Sequence, residues 1–136
     1  MAAAIELQKA VFAALASDAA LVAALGGEPR IHDHAPASVP FPYLTFGRVS
    51  VHDWSTATEE GSEHVFTIHV WSRAKGKSEA VAIMEVVHRR LHDADLDLDG
   101  HALVNLRAET QDIRFDDDHG VYHGAVLFRA VTEPVA

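Results

Sequence analysis

The stretch EHVFTIHVWS, residues 63–72, alternates. Phe66, Ile68 and Val70 fall on one side of an extended chain, and Thr67, His69 and Trp71 fall on the other. A period of two with one apolar face and one mixed face predicts a strand whose sheet is covered on one side only. After RAKGK the period changes. Ala80, Ile83, Met84, Val87 and Leu91 recur at helical spacing and form an apolar stripe, with Ser78 placed to cap the start. A strand that buries one face and a helix that buries one stripe fit a sheet covered on one face by helices.

The same reading extends along the chain. Ile5, Val11, Phe12 and Leu15 recur at helical spacing over 3–16; Ser17 is placed to cap a second helix over 18–25, and Gly26 and Gly27 stop it. Pro36, Pro40 and Pro42 make 35–42 irregular, because proline fixes φ and has no N–H for a ladder. Strands are expected on either side, at 30–34 and 43–53, the latter with Leu44 and Phe46 alternating against Tyr43 and Thr45. The polar, glycine-containing 54–63 reads as a hairpin connection, and DDDHG as a turn joining strands at about 102–114 and 121–132. The expected fold is α+β in the order α-α-β-β-β-α-β-β: a mostly antiparallel sheet of four to five strands with helices on one face. Residues 1–136 are expected to form one domain. The second face, with Tyr43, His69 and Trp71, is left for a partner or a neighbouring subunit.

Charge and composition narrow the function. Eleven basic and twenty acidic side chains give a net charge of −9, which disfavours nucleic-acid binding through phosphate neutralisation. With no cysteine, disulfides, thiolate zinc sites and a nucleophilic thiol are excluded. Glu6, Lys9 and Asp18 interrupt the alanine-rich N-terminal stretch, which reads as helix and not as a signal peptide, and no apolar run is long enough to cross a bilayer. A soluble protein is expected.

Ten histidines invite metal chemistry. His32 and His34 share a face of an extended segment but need a third ligand. His88 and His92 have helical zinc-site spacing, yet Arg89, Arg90 and Leu91 stand between them where an HExxH motif supplies a glutamate. DADLDLDG imitates the start of a calcium loop, but Leu106 occupies the twelfth position, which requires a bidentate glutamate. The alternation instead puts Leu96 and Leu98 inward and the aspartates in water. FDDDHG reads as a solvated hairpin tip. No nucleophile elbow or phosphate loop is present. The residues alone assign no catalytic, cofactor-binding or metal-ligating set.

Taken together, VFAALASDAALVAALGG, RIHDHAPASVPFPYLTFG, DWSTATEEGSEHVFTIHVWSRAKGKSEAVAIMEVVHRRLHD and YHGAVLFRAVTE resemble the tail terminator (tail-completion) family of long-tailed bacteriophages and gene transfer agents. The most specific segments are PFPYLTFG and HVWSR; His32 departs from an aromatic position of the family. The resemblance implies a structural virion protein that forms a hexameric ring at the head-proximal end of the tail tube, assembled in the bacterial cytoplasm. Such a ring ends tube polymerisation and joins the tail to the head-completion (stopper) protein, with DNA only passing through and no membrane or cofactor involved. A ring needs a heterologous interface, for which Arg48, His69, Trp71 and Arg73 are the expected residues. Glu59, Glu60, Asp116, Asp117 and Asp118, in the acidic loops, are expected to touch tube or stopper or to line the channel. The alternatives are another neck or minor tail protein, a histidine/carboxylate metal-dependent enzyme, and a small ligand-binding module.

Overall fold

The computed structural model describes residues 2–135. Helices α1 (Ala3–Ala16) and α2 (Ala19–Ala24) lead into strands β1 (Ile31–His32), β2 (Tyr43–Asp53) and β3 (Ser62–Ser72); helix α3 (Ser78–Leu91) and strands β4 (His101–Asp116) and β5 (Val121–Pro134) follow. The sheet order is β1-β2-β3-β5-β4. Every pairing is antiparallel except that of β1 with β2, which is parallel. Element order and fold class are as the sequence predicts. β1 is shorter than the expected 30–34, because only Ile31 and His32 pair with Leu44 and Thr45 before the proline loop leaves the sheet.

Helix α3 buries the expected stripe, Ala80, Ile83, Met84, Val87 and Leu91. It lies on Phe66, Ile68 and Val70 of β3 and Val126, Phe128 and Ala130 of β5, all in one core. Phe66 and Phe128 face each other across β3 and β5 with ring centroids 5.4 Å apart. At Gly124 a Cβ would overlap Met84 Sδ, so the glycine leaves room for the Met84 side chain where α3 packs on β5.

Three local expectations are corrected. The buried stripe of α1 is Leu7, Val11, Ala14 and Leu15, whereas Ile5 and Phe12 lie on its exposed flank. Asp18, not Ser17, caps α2: its Oδ1 accepts the Leu21 N–H at 2.9 Å, while Ser17 closes α1. Ser78 is the first helical residue of α3 and Lys77 the N-cap, with no side-chain capping bond. The start of α3 is held instead by Ser72 Oγ, which donates to Glu79 at 2.7 Å.

Candidate functional site

The face of the sheet away from the helices carries a connected row of rings. Tyr43, Trp71 and His123 are direct cross-strand neighbours on β2, β3 and β5. Trp71 and His123 stack with centroids 4.1 Å apart and planes 2° from parallel, and Tyr43 stacks on Trp71 at 6.3 Å. Phe41 packs on Tyr43 at 4.9 Å, and the Arg73 guanidinium lies 4.3 Å above the Phe41 ring. Trp71 donates its indole N–H to Thr45 Oγ1 at 3.0 Å.

Beside this row, His69 Nδ1 and His123 Nε2 are 2.7 Å apart and share one proton. Burial pushes both imidazoles below the ordinary histidine range. For His69 the Asp112 carboxylate opposes this; for His123 the charges of His69 and Arg114 add to it. Gly47 sits in a β2 bulge at the place where a Cβ would collide with the His69 ring. The bulge and the histidine pair are one construction.

Of the four residues expected at a subunit interface, His69, Trp71 and Arg73 therefore belong to one cluster. Arg48 is exposed in the bulge next to Gly47. The sequence reading missed Phe41 and His123. The signal available for His123 was the second alternating strand, which pairs with β3 and puts it beside Trp71. More charge lies farther out on this face: Arg129 pairs with Glu63 and covers the Trp54 ring at 4.9 Å, and Arg107 stands directly across from Arg129.

The two acidic loops lie at opposite ends of the sheet. Ser62, which closes the 54–61 connection, is level with Thr132, whereas Ser72 is level with Tyr122 beside the 117–120 turn. Glu59 and Glu60 are exposed, in a loop held by Trp54 N–H to Gly61 O at 2.9 Å and Thr56 N–H to Glu59 O at 2.7 Å. At the other end Asp116 is occupied internally. It accepts the Asp118 and His119 N–H groups, and its other oxygen bonds the His119 ring at 2.9 Å, which holds its carboxyl below the usual range. Asp117 and Asp118 point outward at the tip.

Of the histidines weighed as metal ligands, His34 is exposed, and His32, His88 and His92 are engaged otherwise. His32 packs edge-on to Tyr43 at 6.3 Å. His88 and His92 stack at 4.9 Å, and His92 Nδ1 accepts the Ala108 N–H at 3.0 Å. Asp95, Asp97 and Asp99 are exposed, with Leu96 buried and Leu98 half-buried between them, as the alternation predicts. Among the described residues no group of three or more histidine or carboxylate side chains is arranged to hold a metal ion, and no helix is long and apolar enough to cross a membrane.

No curated protein matches the chain. A solved chain from the "Virion of native gene transfer agent (GTA) particle" superposes with a TM-score of 0.87 at 33% identity, over 97% of this chain and 98% of that one. The profile of the family described as "Tail completion protein gp17" matches residues 9–133. The chain belongs to the tail-completion protein gp17 family.

Proposed function

We propose that the protein is a structural, non-catalytic component of a phage or gene transfer agent particle that forms a hexameric ring at the head-proximal end of the tail tube. There it ends tube polymerisation and joins the tail to the head-completion (stopper) protein, and DNA passes through its channel. The observation that carries this reading is the match of nearly the whole chain to a gene transfer agent virion chain, together with the family match. The site geometry supports it: an aromatic and arginine-bearing face fits a protein interface, where Trp, Tyr and Arg are enriched. In this reading Arg48, His69, Trp71 and Arg73 meet acidic surface of the adjacent subunit.

Acidic loops at opposite ends of the sheet suit a ring element that must meet one partner above and another below. Glu59 and Glu60 serve one end, and Asp117 and Asp118, on the turn that Asp116 holds, serve the other. Wherever such a loop borders the channel, its charge repels passing DNA. Averaged electron-microscopy images of particles carrying a tagged copy test the reading. Tag density as a ring between tail tube and neck is expected; particles without the tag, or with it elsewhere, refute it.

A further inference from the structure

Each outer edge of the sheet is covered over only part of its length. On β2, residues 44 and 45 pair with β1, and among the described residues the outer edge of 46–53 has no strand partner. On β4, the Asp93 N–H bonds Leu106 O at 2.7 Å and the Ala108 N–H bonds His92 Nδ1 at 3.0 Å, and among the described residues 109–116 has no strand on its outer edge. The two open segments are equal in length. Three of the chain's exposed large apolar side chains lie on them: Val49 (40% exposed), Val51 (50%) and Phe115 (47%). A long open edge with exposed apolar side chains is a template for pairing with another chain.

Resting on the ring reading above, we propose that the ring closes by strand addition, residues 48–53 on the open edge of one copy pairing with 111–116 on the open edge of the next. Strand direction reverses at each step from β2 through β3 and β5 to β4, so copies that share one orientation meet antiparallel. One register satisfies both faces. It sets Val49 opposite Phe115 and Val51 opposite Ile113 on the helix side, with His52 opposite Asp112 on the open side and Arg48 opposite Asp116 at the bulge. A slip of two residues one way puts Arg48 against Arg114, and like charges directly opposite are unfavourable; the other way takes Asp112 away from His52. Even-numbered slips alone keep the faces matched.

The stagger fits closure. Ser50 is level with Arg107 of its own chain and in this register pairs with Arg114 of the next; Glu109, skipped in the β4–β5 ladder, absorbs one residue. That is a rise of ~20 Å at ~3.3 Å per residue, over a width of ~19 Å for four strands. The strands then tilt by about 45° from the ring axis, at the upper end of the range found in closed barrels. In this register 48–53 pairs with 111–116, two different edges meet at each contact, and the interface is heterologous, as a closed ring requires.

A chain without cysteine makes the test direct. Cross-strand Cα atoms in an antiparallel ladder are ~4.5–5.5 Å apart, within disulfide reach. Particles carrying Val51→Cys with Ile113→Cys, mildly oxidised, should give a non-reducing ladder of covalent multimers ending at the closed ring, with at most dimers from either single variant. A normal ring by microscopy without that ladder overturns the edge pairing and leaves the ring reading intact; absence of any ring overturns both. Should the cysteine pair impair folding, the exposed pair 52 and 112 decides: His52→Asp, which sets two carboxylates opposite each other, and Asp112→Arg should each reduce incorporation at least tenfold, and the double variant should restore it. Two harmless single variants, or a double variant no better than the singles, refute the register.

Discussion

On the face under the helices, Phe66 stacks on Phe128 among aliphatic side chains and Phe128 is fully buried; on the opposite face the matching positions of β3 and β5 hold Trp71 and His123, half-buried and joined to Tyr43, His69 and Thr45 by stacking and hydrogen bonds. The two faces share strands, register and twist, and differ only in what the alternate side chains are. The covered face therefore sets the stability of the single chain. The open face, whose rings are ordered by one another without a covering layer, is suited to contact. Removing a ring from each face should separate these roles.

Phe128→Ala is expected to cost about 3–5 kcal/mol, because it empties a buried site and removes the partner of Phe66. Trp71→Ala should cost about 1–2 kcal/mol, since the indole is half in solvent and loses one hydrogen bond and its stacking neighbours. Urea unfolding followed by circular dichroism measures both. In the ring reading the order reverses for assembly: the Trp71 variant folds but fails to enter the ring, as light scattering or particle incorporation reads. Equal stability losses, or normal incorporation of the Trp71 variant, would erase the distinction between the faces.

Gly47→Ala sharpens it. The new methyl must displace the His69 ring, which His123 holds, and so strains the open face without touching the core. A loss of about 1–3 kcal/mol is expected. In a His69→Ala background, where the ring is gone, the added methyl should cost much less. A double-mutant cycle showing no coupling would disconnect the bulge from the histidine pair.

Much of this architecture is legible in the sequence because its signals are periodic. The alternation at 65–71 assigns both faces of β3, and the α3 stripe assigns the layer above it. Helix α1 misleads because it is alanine-rich: Ile5 and Phe12 are conspicuous apolar residues that stay outside, while Leu7 and small Ala14 join Val11 and Leu15 in the contact. The caps are misread for a local reason, since Ser17 and Asp18 are both good caps and adjacent, and only the helix end decides between them. His123 and Phe41 join the open-face cluster through strand order and the path of the proline loop, which no single stretch encodes. Nor does one stretch reveal that β1 covers only part of β2, the fact that leaves an edge open.

The smallest expected effect comes from pH, and it again divides the faces. His69 and His123 on the open side and His64 on the covered side all titrate below the ordinary histidine range, in each case chiefly through burial. His64 bonds Thr132 Oγ1 at 2.9 Å through Nε2, and its Nδ1 is buried without a partner, so a proton added there finds no acceptor. The unfolded chain takes up protons at about pH 6.5, whereas the folded chain resists until lower pH. The unfolded state thus binds more protons in that interval, and stability rises with pH across it. The contribution of these histidines is complete above about pH 6.5 and is lost as pH falls through the depressed folded values. Melting temperatures recorded from pH 8 to pH 5 should decline on the acid side. His69→Gln with His123→Gln should remove part of that slope; what persists belongs to the covered face and should shrink further with His64→Gln. An acid limb unchanged by the open-face pair would place the whole pH response under the helices. A melting temperature that rises on acidification would contradict the burial of all three rings.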